Sequence, residues 1–242
     1  MEIFITAFNT VLYQPLLNAL VFLYQFLPGR DFGVAVIVLT IMIRIVLYPL
    51  MLKSIRSQKM LSELQPKIQE IQQRNKDDKE KQAKEMMELY RKEKINPMGG
   101  CLPLLLQLPI LFALYRVFWH GMEPEAMSLL YSFVPNPGEI NPAFLGLINL
   151  AEASLVLAFI AGICQFFQTK MLMPKQKSAP KGDQMAQFSG IMQKQMLYFF
   201  PLFTVLILWK LPAAIGLYWI VTALFSIGQQ YLILKPKEQK NA

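Results

Sequence analysis

The sequence predicts an all-α integral membrane protein with five transmembrane helices, an N-terminal interfacial amphipathic helix and a cytoplasmic helical hairpin. Apolar residues make up 54% of the 242 residues and charged residues only 17%. Soluble domains average about 45–50% apolar and about 25% charged residues. The apolar residues are gathered into runs of membrane-spanning length, and one segment rich in charge separates the first two of these runs.

The first apolar segment differs from the others because its polar residues share one helical face. They recur at spacings of 3, 4, 7 and 8 and are Thr6, Asn9, Thr10, Tyr13, Gln14, Asn18 and Gln25. This pattern, together with Pro15, favours a helix lying in the membrane interface over one crossing it. Residues 1–27 hold no Lys or Arg, so we expect no secretory signal with a charged n-region.

The later apolar runs predict the spans. Phe32 to Leu52 is 21 residues long and has Arg44 as its only charge, which is enough to cross a core of about 30 Å. The resulting division is 1–29 interfacial helix, 30–52 span one, 53–98 hairpin, 99–118 span two, 119–152 outer loop, 153–172 span three, 173–195 cytoplasmic loop, 196–210 span four, 211–234 span five and 235–242 tail.

The segment between spans one and two predicts a pair of amphipathic helices. Residues 53–97 hold twelve Lys/Arg and eight Asp/Glu. Apolar residues recur at helical spacing on either side of the turn sequence Asn75-Lys76-Asp77-Asp78. We therefore expect helices over 57–74 and 79–94 that form a hairpin.

The distribution of basic residues predicts the orientation. With the hairpin inside, segments 53–97, 170–195 and 235–242 carry twelve, five and three of the 24 basic residues. Only Arg30, Arg116 and Lys210 then lie outside. Because Lys and Arg accumulate on the cytoplasmic side, we expect the N-terminus outside and the C-terminus in the cytoplasm.

Arg44 is the one charged residue between Phe32 and Leu52, and its depth in the membrane indicates a functional role. An arginine at mid-membrane depth costs about 2.5–3.5 kcal/mol on insertion scales. About twelve residues of the span precede it and eight follow it, so its side chain reaches neither interface easily. Two interpretations remain open: an ion pair with a buried acid, or a water-filled cavity. The other spans have no acid at mid-depth, which favours the cavity.

Polar residues on several spans are candidates for the cavity lining. Thr40, Arg44 and Tyr48 share one helical face at i, i+4 and i+8, and span five carries a polar stripe. Buried amides also serve simply to join membrane helices, and this remains the alternative for each glutamine. The candidate binding residues are Thr40, Arg44, Tyr48, Gln107, Gln165, Gln168, Trp219, Thr222 and Ser226.

The segment entering span two carries a family signature. Residues 96–110 read NPMGGCLPLLLQLPI, which resembles the NP-x-x-G-C-L-P-x-L-x-Q-x-P-[IF] signature of the YidC family of membrane protein insertases. Tyr48-Pro49-Leu50, Gln65-Pro66-Lys67 and Leu217-Tyr218-Trp219 are similar to other family motifs. The resemblance extends over about residues 10–234.

The resemblance implies a fold and a mechanism. Five helices enclose a hydrophilic groove that is open to the cytosol and to lipid but closed on the outer side. Arg44 is the positive charge of this groove and attracts acidic or polar stretches of a nascent membrane protein. The implied partners are nascent membrane proteins, the ribosome, a Sec-type translocon and the bilayer. We expect a compact, monomeric member that lacks a large outer domain and a long basic tail.

Other classes of function are less consistent with the sequence. A small anion or solute transporter that uses Arg44 is the alternative, but the two halves show no internal repeat. The spans contain no arrangement of catalytic residues, so no enzyme is predicted. Cys101, Cys164 and His120 form neither a metal cluster nor a disulfide framework, and we predict no metal, no cofactor and no specific nucleic-acid binding.

Overall fold

The computed structural model describes residues 2–76, 78–96, 102–121, 123–173 and 194–234. Most of the predicted loop 173–195, the whole tail 235–242 and Cys101 lie outside these ranges. The helices are α1 Glu2–Phe8, α2 Gln14–Phe26, α3 Phe32–Val46, α4 Tyr48–Arg74, α5 Lys79–Lys92, α6 Leu102–His120, α7 Pro124–Met127, α8 Leu155–Leu172, α9 Phe200–Leu208 and α10 Ala213–Leu234. Two short strands, β1 Ala143–Phe144 and β2 Ile148–Asn149, pair antiparallel.

Hydropathy and length identify the helices that can cross a membrane. Within the described ranges these are Glu2–Phe26, Leu155–Leu172 and Ala213–Leu234, and α3 with α4 adds a fourth if the bent pair is one span. Leu105–His120 and Gln195–Leu208 are apolar but shorter. The chain is therefore an α-helical membrane protein that crosses the bilayer more than once.

The N-terminal segment is a single helical rod. A π-helical turn, Asn9–Tyr13, joins α1 to α2, and Pro15 lies in the first turn of α2, where its missing N–H breaks no helical hydrogen bond. The rod buries Leu17 and Val21 against its neighbours and exposes Phe4. Its length and hydropathy are also those of a spanning helix, so its interfacial position stays a prediction.

The segment 30–52, predicted as span one, contains a bend. Asp31 caps α3 by accepting a hydrogen bond from the Val34 N–H at 2.8 Å, but α3 ends at Val46 and the chain bends by 67° into α4. Pro49 supplies the physical reason, because it has no N–H for the Ile45 carbonyl and its ring disfavours a continued helix. The predicted hairpin helix 57–74 is consequently the second part of a longer helix, Tyr48–Arg74.

Helices α4 and α5 pack against each other as an antiparallel pair. Lys67 contacts Glu93 at 2.7 Å, and Arg74 contacts Glu85 at 2.5 Å. A small separate core lies between the two helices and consists of Leu64, Ile68 and Ile95, with Leu61, Met86, Leu89 and Tyr90 partly buried around it. The Asp78 carboxylate accepts from the Lys81 N–H at 2.9 Å and caps α5. The α4–α5 helix pair is therefore held together by its own small apolar core as well as by ion pairs.

Helix α10 is the central element of the main bundle and packs against α3, α8 and α6. Small residues allow close helix contacts, as is common between membrane helices. A Cβ on Gly162 would stand 2.6 Å from Val205 Cγ2, and one on Gly216 would stand 3.4 Å from Leu157 Cβ. Cys164 is only partly buried, in contrast to the buried position expected from its apolar surroundings.

The segment between α6 and α8 closes one end of the bundle. The Phe144 ring lies directly against Gly33, where a Cβ would be 2.1 Å from a ring carbon. The Leu145 N–H donates to the Asp31 carboxylate at 2.5 Å, and the Ala213 N–H donates to the Glu152 carbonyl at 2.8 Å. An all-α prediction does not include the β1–β2 pair that these contacts hold in place.

The α4–α5 pair should respond to acid. Arg74 and Asn75 hydrogen-bond Glu85, and Lys67 hydrogen-bonds Glu93, so the pKa of each carboxyl lies below its usual value. Because each folded-state pKa is lowered, the two carboxylates stabilise the helix pair fully above the ordinary glutamate pKa of about 4.3. This contribution is lost as the pH falls from there through the lowered folded-state pKa. We expect hydrogen exchange in α5, corrected for intrinsic rates, to be faster at pH 3.5 than at pH 7.

A matched pair of variants separates these two ion pairs from general charge effects. At pH 7 the double change Glu85→Gln with Glu93→Gln should speed exchange in α5 about two- to fivefold, as expected for exposed pairs. Glu88→Gln, at an exposed position of the same helix, should leave it unchanged. Equal rates in the double variant and the wild type would mean that the two pairs do not hold α5 in place.

Candidate functional site

Arg44 is buried in the bundle although it carries a charge. It lies in the last turn of α3 with 6% of its surface exposed. Within the described ranges, no carboxylate oxygen lies within 4.0 Å of its guanidinium nitrogens. Its hydrogen-bond partner is the Gln107 side chain, whose Oε1 accepts from Nη2 at 3.4 Å. The interpretation of Arg44 as half of a buried ion pair therefore has no support in this part of the chain.

Gln107 connects three helices through the oxygen and the nitrogen of its side-chain amide. Its Oε1 accepts from Arg44 on α3, and its Nε2 donates to the hydroxyl oxygen of Tyr218 on α10. Gln107 itself lies on α6. A guanidinium has five N–H donors, and the single long bond to Gln107 leaves most of them for other polar groups. Arg44, Gln107 and Tyr218 form the network that we call the arginine cluster.

Two predicted neighbours of Arg44 have other roles. Thr40 is fully buried, and its hydroxyl donates to the Val36 carbonyl at 2.6 Å within α3. Tyr48 does not share the face of Thr40 and Arg44, because α3 ends at Val46 and Tyr48 begins α4 beyond the bend. It is 37% exposed. The predicted stripe at i, i+4 and i+8 is therefore wrong at its third position.

A second polar cluster joins α8, α9 and α10. Gln165 Oε1 accepts from the Thr204 hydroxyl at 2.6 Å and from Trp219 Nε1 at 3.1 Å. Gln168 lies one turn further along α8 and forms no hydrogen bond with the described residues. The structure thus distinguishes the two glutamines, which the sequence did not. Gln165 acts as a bridge between helices.

The polar stripe of α10 continues beyond Tyr218. Thr222 and Ser226 are buried, and the Ser226 hydroxyl donates to the Thr222 carbonyl at 2.9 Å. Gln229 is 4% exposed, and neither polar atom of its side chain has a hydrogen-bond partner among the described residues. Buried amides normally have partners, in protein, water or ligand. This stripe is therefore polar over three helical turns.

The sequence indicated Tyr218 and Gln229 as members of the polar stripe of span five, through their helical spacing, but it did not indicate Thr204. Thr204 is an isolated hydroxyl in an apolar helix and shows no such pattern. Only the packing of α9 on α8 identifies it.

Two surface pockets lie away from the arginine cluster. One pocket of about 410 Å³ lies between α8 and α9 and has apolar lining, including Phe159, Phe166 and Leu202. A second of about 310 Å³ lies where the π-helical turn Asn9–Tyr13 meets the end of α6. Arg44 lines neither pocket, so a hydrated groove around it stays a prediction.

Apolar helices that bury an arginine and several amides between them define a polytopic α-helical membrane protein with a polar interior. The family described as the 60Kd inner membrane protein has a sequence model that matches residues 22–241. The chain belongs to that family, and the resemblance noted in the sequence is thereby confirmed.

Curated relatives and a solved structure agree with this assignment. The membrane protein insertase YidC of Fusobacterium nucleatum is 36% identical over 205 residues, which are 85% of this chain and 87% of that protein. The YidC of Shewanella loihica is 39% identical over 91% of this chain but only 36% of its own length. The chain thus spans nearly all of one relative and under two fifths of the other.

The structural comparison shows the fold. An active YidC insertase crystal structure, with its first transmembrane domain resolved, matches 93% of this chain and 46% of its own chain, with a TM-score of 0.60 and 24% identity. The bacterial relatives and the apolar helices together make the chain a multi-pass protein of the bacterial inner membrane.

The second polar cluster gives a stability prediction. Gln165→Leu removes the acceptor for Thr204 and Trp219 and should lower the free energy of unfolding by about 1 kcal/mol, the usual size for interhelical hydrogen bonds in membranes. Gln168→Leu is the matched control and should change it by much less. Titration with a denaturing detergent measures both. Equal losses in the two variants would contradict the bridging role of Gln165.

Proposed function

We propose that the chain is an insertase and chaperone that inserts, folds and assembles nascent membrane proteins, alone or beside a Sec-type translocon. The observation that carries the proposal is the buried Arg44, which has no carboxylate within 4.0 Å among the described residues, in a chain that is 36% identical to an insertase over 87% of that insertase. Nothing described here favours the transporter alternative.

The chemistry of the step follows from the cost of moving polar groups into hydrocarbon. Moving a polar group that has no hydrogen-bond partner into the bilayer core costs several kcal/mol of free energy. Arg44 and the stripe of Thr222, Ser226 and Gln229 offer charge and hydrogen bonds part-way across the membrane. A client's polar tail binds there while its apolar segment moves sideways into lipid. No covalent bond forms or breaks.

The proposed topology has five spans with the N-terminus outside and the C-terminus in the cytoplasm. The spans are α3 with the start of α4, α6, α8, the helix Gln195–Leu208, and α10. The two shorter apolar helices fit if the bilayer thins locally around them. The N-terminal rod then lies at the outer interface, and the contacts of Leu145 with Asp31 and of Ala213 with Glu152 close the outer end.

The α4–α5 pair is the proposed cytoplasmic contact region. Its exposed faces are rich in charge, and its own small core allows it to keep its shape outside the membrane. A ribosome and a Sec-type channel are the partners proposed for it, and the insertase is proposed to act as a monomer.

Photocrosslinkers in α10 test the proposed function. Capture of ribosome-bound membrane-protein nascent chains by these crosslinkers would support it. Capture of no nascent chain, with wild-type folding, would refute it.

The role of Arg44 predicts a specific defect. Arg44→Ala should reduce insertion of clients with charged N-terminal tails severalfold in depleted cells, whereas Arg44→Lys should largely retain it, because a point charge in a wet groove is enough. Lys210→Ala, at an exposed position, is the control and should insert normally. Normal insertion by Arg44→Ala would remove Arg44 from the mechanism.

The proposed groove also predicts accessibility to water. With Cys101 and Cys164 replaced by serine, single cysteines introduced as Arg44→Cys, Gln107→Cys and Trp219→Cys should react with water-soluble thiol reagents from the cytoplasmic side. Phe112→Cys and Ile163→Cys are the lipid-facing controls, at positions 62% and 56% exposed on the bundle surface. Equal protection at both sets of positions would exclude an aqueous groove.

A further inference from the structure

Arg116 is a second arginine of the bundle, and its position differs from that of Arg44. It lies on the outward face of α6, one turn before the helix ends at His120, and it is exposed. The side chains that precede it on this face are Leu105, Leu108 and Phe112, which are 60%, 40% and 62% exposed. Arg116 therefore stands at the end of an apolar stripe that faces lipid.

The guanidinium of Arg116 is held in place but not neutralised. Its Nη1 donates to Asn9 Oδ1 at 2.6 Å, and its central carbon lies 4.4 Å from the centre of the Tyr13 ring. Throughout the described parts of the chain, no carboxylate oxygen lies within 4.0 Å of it. Among the described residues, one of its five N–H donors has an acceptor, so the other donors of the rigid fork can bind a ligand.

A pocket lies beside this guanidinium and contains both signs of charge. Its volume of about 310 Å³ is within the range of about 300–1,000 Å³ common for ligand sites. His120 Nδ1 lies 2.8 Å from Glu123 Oε1, while Glu125 has no cation within 4.0 Å among the described residues. The lining residues are Tyr13, Arg116, His120, Glu123, Glu125, Ala126 and Leu129.

This arrangement matches an amphiphile with two opposite charges in its polar part. We propose that the pocket binds the headgroup of an aminophospholipid of the phosphatidylethanolamine type. Arg116 binds the phosphate, for which its planar fork is suited, and the carboxylates of Glu125 and Glu123 bind the primary ammonium. The acyl chains lie along the stripe of Leu105, Leu108 and Phe112.

Charge and shape distinguish this ligand from related ones. An anionic lipid with a glycerol headgroup places no cation near Glu123 and Glu125. A soluble phosphoamine presents the same two charges but makes no use of the apolar stripe below Arg116. The inference rests on this pocket alone and holds in either orientation of the chain, so it is independent of the proposed insertase function.

Native mass spectrometry of the full chain in detergent tests the site. The probes are phosphatidylethanolamine, phosphatidylglycerol and free glycerophosphoethanolamine. The wild type should bind phosphatidylethanolamine most tightly. Arg116→Gln should weaken that binding about tenfold, the effect of losing charge-assisted hydrogen bonds to one phosphate. Lys210→Gln removes an exposed basic side chain outside the pocket and should bind as the wild type does.

Further variants make the result decisive. Glu123→Gln with Glu125→Gln should abolish the preference over phosphatidylglycerol, and Glu125→Lys should reverse it. This exposed charge reversal tests the site even if Arg116→Gln does not fold. Unchanged binding by Arg116→Gln, equal binding of both lipids by the wild type, or free glycerophosphoethanolamine binding as tightly as the lipid would each overturn the proposal.

Discussion

A positive charge that is enclosed by membrane helices, with no carboxylate beside it in the described parts of the chain, is the constraint on which this structure depends. Arg44 is 6% exposed, and its hydrogen-bond partner among these residues is Gln107. At mid-membrane depth such a group costs a few kcal/mol at least, so the helices around it must supply polar atoms. Gln107 and Tyr218 do so from α6 and α10, and the contact of these two helices with α3 follows from that requirement.

The two polar clusters of the bundle differ in how many of their hydrogen-bonding groups have partners among the described residues. Gln165 Oε1 accepts two hydrogen bonds, which occupy both of its lone pairs, and α8, α9 and α10 are joined there. In the arginine cluster, most N–H donors of Arg44 have no acceptor among the described residues. Tyr218 and Trp219 are consecutive residues, about 100° apart around the helix, so α10 contributes to one cluster on each side.

Sequence periodicity predicted that Arg44 is grouped with amides from other helices, since those residues are the few polar ones in long apolar runs. The structure places Gln107 beside Arg44 but Gln165 in a separate cluster. The break after Val46 was missed because hydropathy does not register a bend between two apolar segments. Pro49 was the available signal, and it also explains why Tyr48 leaves the face of Arg44. The contacts that close one end of the bundle, Asp31 with Leu145 and Gly33 with Phe144, join residues far apart in the chain, so no local sequence pattern indicates them.

The 67° bend has a mechanical consequence. Helix α4 runs for 27 residues from the bend, which makes it an arm about 40 Å long. Its first turns are fixed in the bundle, because Met51 and Ile55 are buried. If the part beyond Ile55 tilts by about 10°, the tip near Arg74 moves by about 5 Å while Arg44 stays in place. The α4–α5 pair at the end of this arm can therefore move by several ångströms while the guanidinium of Arg44 stays in place inside the bundle.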